Sequence, residues 1–290
     1  MANYTIKTKI LNIFRSVFKI SIFENLIVRT TQGKKLNNFF VKLLPANYQY
    51  PKGSFRKVFR QGSWFNLDIS DYMDYIIYYG IDSENREPLE RIITNNITIL
   101  DIGVNIGETL LLFANKNNQG KVYGFEPVPY LYERAKVNIS LNKYENIILN
   151  NMALSDKEEE LYFDLPTNFN SGGINMHKIK PSSNAQIVIA STIDNYIEKN
   201  GITKVDLIKI DVEGFEMNVL KGGMETINKH KPKMFIEISE NNLISKNSSS
   251  KEIMTFLSGI GYNLLNTYTN TKINPNDDFT NCHFDLYCSI

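Results

Sequence analysis

Residues 97–110 read Ile-Thr-Ile-Leu-Asp-Ile-Gly-Val-Asn-Ile-Gly-Glu-Thr-Leu. A β-branched apolar run ends at Asp101. A short turn containing Gly103 and Gly107 follows, and a helical run extends from Thr109 to Lys116. Strand, glycine turn and helix in this order make the first βα unit of a doubly wound α/β sheet. Glycine lets the backbone approach a ligand where a Cβ would stand in the way. The first turn of the helix offers N–H groups with no partner inside the helix.

The spacing constrains the ligand. A dinucleotide site uses G-x-G-x-x-G, with amides aimed at a pyrophosphate. Here the glycines are spaced G-x-x-x-G, and the carboxylate of Asp101 beside the turn would repel a pyrophosphate. It suits a ligand carrying a cationic amine or sulfonium. A second apolar strand, 121–126, ends in Glu126. An acid about 20 residues beyond the first turn commonly binds ribose hydroxyls. A ribose, a cation and no pyrophosphate together describe S-adenosyl-L-methionine (SAM). An NAD-dependent oxidoreductase is disfavoured by the glycine spacing and by Asp101.

Three segments resemble the FkbM-type SAM-dependent methyltransferases: D-I-G-V-N-I-G-E-T at 101–109, F-E-P at 125–127 and D-L-I-K-I-D-V-E-G-F-E at 206–216. The resemblance covers about residues 60–290. Val104 stands where that family often has alanine, and Glu108 where an aromatic is frequent. The resemblance implies a Rossmann-like, seven-stranded class I methyltransferase sheet, here preceded by an N-terminal helical and hairpin extension. It also implies O-methylation, most often of a sugar in a bacterial surface glycan or a glycosylated metabolite. N- or C-methylation of a non-sugar small molecule is the rival enzyme reading, and a non-catalytic binding module is the rival of another class.

Taken in order, residues 1–52 form a helical extension and linker, 53–95 a hairpin and helices, and 96–290 the SAM-binding domain with a lid-like insertion at 160–190. Ile10, Ile13, Phe14, Val17, Phe18, Phe23, Leu26 and Ile27 recur at helical spacing among basic residues. They predict helices that pack on the main domain or on a second protomer. A peripheral membrane helix over residues 1–30 is the sharper alternative. Residues 55–69 predict a hairpin turning at Gln61-Gly62, and 71–80 a helix with Tyr72, Tyr75, Tyr78 and Tyr79 as a packing stripe or a substrate rim. A helix over 84–94 leads into strands 97–102, 121–126 and 146–151, with helices 106–117 and 129–142 between them.

Beyond residue 152, Glu160 to Leu165 and Gln186 to Ala190 predict a strand pair around a polar, glycine-rich loop. Gly172-Gly173 would be its hinges, and His177 a candidate base. Strands at 205–210 and 234–238, a helix at 215–229 and a closing antiparallel pair, 262–268 and 282–289, complete the sheet. Asn270 to Asp278 reads as a polar connection.

Ligands of open α/β sheets bind beyond the C-terminal strand ends. Those ends are rich in acids and nearly without bases, unlike a phosphate or nucleic-acid site. The expected cofactor contacts are Asp101, Gly103, Asn105, Gly107, Glu126, Ala153, Ser155 and Asp211. In the fold the resemblance implies, the loop carrying Ala153 and Ser155 lies beside the adenine, although Ser155 and Asp156 read equally well as a turn cap. In that implied fold Asp211 also ends the strand that would face the transferred methyl group. Asp211, Glu213 and His177 are therefore the catalytic candidates, since a sugar hydroxyl needs help losing its proton. Asp211 and Glu237 are the candidate ligands for Mg²⁺, a cation that takes oxygen ligands. Glu216 reads as a first-turn helix acid placed for the macrodipole.

A net charge of +1 gives no electrostatic case for nucleic acid or an anionic membrane. Two cysteines, Cys282 and Cys288, fit buried thiols in a reducing compartment better than a disulfide. With no apolar run long enough to span a membrane and no signal-peptide pattern, the simplest location is the cytoplasm. The partner is a small molecule or glycan. The sequence leaves the oligomeric state, monomer or homo-oligomer, open.

Overall fold

The computed structural model describes residues 5–82, 87–164, 174 and 176–290. These fall into two compact units, 5–82 and the remainder. The expected hinge at Gly172-Gly173 lies outside the described residues.

In the first unit, helices Ile6–Arg15 and Ser21–Thr31 flank a 3₁₀ turn at Ser16–Lys19. Strands Phe55–Arg60 and Ser63–Asp68 form the expected hairpin. Its turn residues Gln61 and Gly62 have φ of 51° and 82°, the left-handed pair that a two-residue turn requires. Helix Tyr72–Tyr79 is capped by the Asp71 carboxylate, which accepts from the Met73 N–H, and it ends at left-handed Gly80. Tyr75, Tyr78 and Tyr79 are buried. The Tyr78 hydroxyl donates to the buried Glu24 carboxylate at 2.7 Å, beside an Arg56 guanidinium that also donates to it at 2.7 Å. Tyr79 and Tyr50 share a hydroxyl contact of 2.8 Å. The hydroxyls of Tyr78, Tyr79 and Tyr50 thus have polar partners, as burial requires, and Tyr75, Tyr78 and Tyr79 serve this unit's own core.

The second unit opens with α1 (Glu87–Ile92), followed by β1 (Thr98–Ile102), α2 (Glu108–Lys116), β2 (Lys121–Phe125), α3 (Pro129–Ser140) and β3 (Ile147–Asn150). An inserted group of strands comes next: β4 (Ala153–Leu154), β5 (Glu159–Phe163), β6 (Met176–His177) and β7 (Gln186–Ser191). The chain then returns through α4 (Ile193–Lys199), β8 (Leu207–Ile210), α5 (Glu216–Gly222), α6 (Met224–His230), β9 (Lys233–Ser239), α7 (Glu240–Ser245) and α8 (Ser250–Gly259). It closes with β10 (Asn263–Asn266), β11 (Thr271–Lys272) and β12 (His283–Ser289).

The main sheet has the order β11-β10-β12-β9-β8-β1-β2-β3. Strands β9, β8, β1, β2 and β3 are parallel, β12 runs antiparallel to β9, and β10, antiparallel to β12, returns to the common direction. The strand order reverses between β1 and β8, which places the switch point at Asp101 and Asp211. Seven strands match the expected sheet. The eighth is the two-residue edge strand Thr271–Lys272, inside what reads from sequence as a polar connection. The insertion forms its own sheet, ordered β6-β5-β7-β4, so His177 sits on a paired strand rather than in an open loop.

The helix expected over 215–229 is broken at Gly222-Gly223. A Cβ on Gly222 would lie 2.0 Å from the Ser155 carbonyl oxygen, so this close approach to the insertion admits only glycine. The strands of the sheet centre are apolar on both faces, as a sheet covered by helices requires; Ile99, Leu100, Ile102, Leu207, Ile208 and Ile210 are all buried. Among the described residues no helix is long and apolar enough to cross a membrane.

Candidate active site

The glycine turn is built by two left-handed residues flanking an amide cradle. Gly103 (φ 88°) and Val104 both donate their N–H to the Phe125 carbonyl, at 3.0 and 3.1 Å, which pins the turn against the end of β2. Asn105 (φ 52°) then turns its N–H onto Glu126 Oε2 at 2.7 Å. The Val128 N–H takes the other oxygen, Oε1, at 2.9 Å. Glu126 is thus a buried carboxylate held in place by two backbone donors, with a lone pair left on each oxygen. Burial pushes its pKa up to about 7 against the pull of those two donors.

Asp101 lies deeper. It is fully buried, accepts from the Thr109 hydroxyl at 2.8 Å, and has Oδ1 3.8 Å from the Lys209 ammonium. That Oδ1 has no hydrogen-bond partner among the described residues. Burial raises its pKa to about 6, against the opposing pull of Lys209.

Lys209 belongs to β8 and is buried. Its ammonium donates to Asp211 Oδ2 at 3.0 Å and to the Gly103 carbonyl at 3.2 Å. Burial alone would lower its pKa, but the charges of Asp211 and Asp101 outweigh burial and raise it. Asp211 follows at the end of β8. Glu213 sits beyond it with φ 52°, its carboxylate accepting from the Asn242 amide. Oxygens of Asp211, Glu213 and Glu237 all lie within 4.8 Å of one another. The pKa of Glu213 is driven to about 8 by burial first and by the charges of Asp211 and Glu216 next. Glu237 is pushed upward by the Asp211 charge and by burial.

Three carboxylates and one ammonium therefore meet at the strand ends beside the glycine turn. This arrangement can hold a cationic ligand, take up a proton, or supply oxygens to a hard cation.

Residues 101–264, more than half of the chain, match the family described as "Methyltransferase FkbM domain". The chain belongs to the FkbM methyltransferase family. Its curated relatives include the 2-O-methyltransferase NoeI of Sinorhizobium fredii, 29% identical over 146 residues that cover 45% of this chain and 59% of the relative. The hexuronic acid methyltransferase AglP of Haloferax volcanii is 31% identical over 122 residues, covering 42% of this chain and 48% of the relative. The chain thus spans about half the length of these relatives. A solved FkbM methyltransferase from Methylobacillus flagellatus aligns with 95% of this chain and 62% of its own, at 15% identity and a TM-score of 0.43.

Within this FkbM domain the structure brings Asp101, Gly103, Asn105, Glu126, Asp211, Glu213 and Glu237 to one end of the sheet. Gly107 (φ 95°) starts α2 and packs on Ala135 of α3. Ala153 and Ser155 are buried on the insertion side, and the Ser155 hydroxyl is committed to Glu159 at 2.8 Å and Asp156 at 3.0 Å. Asp156 also accepts from Lys178 and Asn218, at 2.7 and 2.9 Å, which makes it a tie between the insertion and α5. His177 is half-buried; burial and then the charge of Lys246 lower its pKa. Glu216 accepts from the Gly214 N–H at 3.0 Å and the Val212 N–H at 3.3 Å, so it braces the 212–214 turn.

Lys209 is the residue that the list of acidic strand ends leaves out. Its signal is a single charge inside Leu207-Ile208-Lys209-Ile210, at the sheet centre where a lysine is tolerated only when paired.

The buried acids set a pH dependence. Asp101, Glu126 and Glu216 have pKa values raised to about 6, 7 and 7, above the ordinary carboxylate range. Between about pH 4 and 7 the folded chain therefore binds more protons than the unfolded one, and stability falls as pH rises through that window. His177 and His230, lowered by partial burial, oppose this over lesser shifts. The ligand-free protein should melt at a lower temperature at pH 8 than at about pH 5.5; a melting temperature that climbs over this range would contradict the burial of these carboxylates.

Proposed function

We propose that this chain transfers a methyl group from SAM to a hydroxyl oxygen, and that the acceptor is a sugar. The observation that carries the cofactor reading is Glu126. Its carboxylate is clamped by the N–H groups of Asn105 and Val128 beside the glycine turn, with one acceptor position free on each oxygen for a ribose diol. Gly103, whose Cβ would collide with the Asp211 carbonyl, fixes the turn that presents Asn105 to Glu126.

SAM, when bound, supplies a methyl carbon attached to a good leaving group. The chain must orient the acceptor and accept its proton. Asp211 has one oxygen engaged by the Lys209 ammonium, which fixes its orientation at the strand end. Glu213, raised to about 8 by burial and its neighbours, is matched to take a hydroxyl proton near neutral pH. In this reading Asp211 positions and Glu213 accepts. The three carboxylate oxygens also suit Mg²⁺, which Asp211 and Glu237 would hold while Lys209 shares Asp211; turnover with and without a chelator tests that part.

The sugar acceptor rests on the names of NoeI and AglP, a 2-O-methyltransferase and a hexuronic acid methyltransferase. A surface glycan or glycosylated metabolite, modified in the cytoplasm, is the acceptor we favour. Both cysteines are free thiols, in keeping with that compartment.

Calorimetric titration with SAM, S-adenosylhomocysteine and NAD tests the cofactor. Glu126→Gln is the control, because it removes the charge that would face the ribose while keeping the length of the side chain. The SAM pair should bind, and Glu126→Gln should weaken it about tenfold or more, the worth of a hydrogen bond to a charged group. A folded protein that binds neither member of the pair would overturn the proposal.

A further inference from the structure

The first unit presents an apolar surface that its own fold leaves uncovered. Half of the exposed large apolar side chains among the described residues lie between Ile6 and Phe40. On helix Ile6–Arg15, Ile6, Ile10, Ile13 and Phe14 fall on one stripe, and Ile13 and Phe14 are 71% and 72% exposed. Ile22 on the next helix is 77% exposed, and Phe39 67%. A soluble monomer rarely leaves so many in one region.

The charge of the same region is one-sided. Residues 1–42 contain eight of the chain's 32 lysines and arginines but only one of its 31 acids. The net charge of +1 therefore hides a basic segment balanced by an acidic remainder. The one acid, Glu24, is buried and neutralised by Arg56. Lys9, Arg29, Lys34, Lys35 and Lys42 are exposed.

We propose that this face docks on an anionic membrane surface. Exposed apolar side chains of an interfacial helix enter the boundary between headgroups and acyl chains, while nearby cations meet the negative headgroups. Charge decides between occupants. A twofold contact between copies would set each basic patch against its own like, whereas anionic lipid complements it. The net charge taken alone conceals this because the acids lie elsewhere in the chain. The inference is independent of the methyl-transfer reading.

Sedimentation of the full chain with phosphatidylcholine vesicles, with and without about 30% phosphatidylglycerol, tests it. Binding is expected only to the anionic vesicles and should weaken with salt. Ile13→Glu with Phe14→Glu should reduce the bound fraction roughly tenfold, since it removes buried apolar area and adds negative charge. Lys34→Glu with Lys35→Glu should reduce it at least about fivefold, and this pair decides the matter if the first variant does not fold. Absence of binding to anionic vesicles, or binding that survives both variants, overturns the proposal. So does a dimer in light scattering that the Ile13/Phe14 variant converts to monomer without any lipid binding.

Discussion

Gly103→Ala will cost about 2–6 kcal/mol of stability and with it ligand binding. Two separate effects add. The backbone at Gly103 has φ 88°, a region that side-chain-bearing residues occupy at a cost of about 1–3 kcal/mol. The new Cβ would also fall 1.8 Å from the Asp211 carbonyl oxygen and 2.9 Å from its carbon. Both are backbone atoms, and Asp211 is tied by its N–H to the Ile102 carbonyl at 3.0 Å, so neither can step aside cheaply. Overpacking of this kind adds about 1–3 kcal/mol. Gly107→Ala separates the two effects. Its φ is 95°, but its Cβ would meet Ala135 Cβ at 3.6 Å, an ordinary contact. It should lose only the backbone share, about 1–3 kcal/mol. Urea denaturation of both variants measures the difference; equal losses would show that the approach of the glycine turn to Asp211 is unimportant.

The second large effect is expected at Lys209. Lys209→Met removes the ammonium that lies between Asp101 and Asp211 and the donor to the Gly103 carbonyl. Methionine fits the apolar surroundings of β8, so packing is nearly conserved. What remains is a fully buried Asp101 without a counter-charge. Removing one partner of a buried ion pair costs about 3–5 kcal/mol. The deficit should shrink at about pH 5, because Asp101 is then protonated in either protein. Adding Asp101→Asn to Lys209→Met should recover part of the loss, a coupling that a double-mutant cycle reads directly. Additive losses at pH 8 would mean that the two side chains do not sense each other.

The acids of this site are legible in the sequence because they lie at or near strand ends, and strand ends converge in an open α/β sheet. Asp101, Glu126, Asp211 and Glu237 follow from that rule alone. The hairpin at Gln61-Gly62 follows from turn chemistry. Lys209 is different. Periodicity marks its segment as a strand, but no local rule says that the one charge within it points toward two carboxylates on neighbouring elements. The sequence reads one helix through Gly222-Gly223, and the Ser155 carbonyl that makes glycine necessary there lies nearly 70 residues away. Thr271–Lys272 carries no strand signal; it pairs because β10 leaves an open edge beside it. Ser155 shows the reverse problem. Its position beside Asp156 was clear, but the partner that also takes its hydroxyl, Glu159, depends on how the insertion folds back.

The contact between Gly103 and Asp211 bears on more than stability. Lys209 binds both segments, and the glycine turn rests on the Asp211 carbonyl with no room for a methyl group between them. The turn beside Glu126 and the loop carrying the acids are therefore one rigid block. Conformational entropy that two independent loops would lose on closing around a ligand has already been lost when the chain folds. Binding free energy gained at the glycine turn need not be spent on bringing Asp211 into place, which is the thermodynamic meaning of a preorganised site.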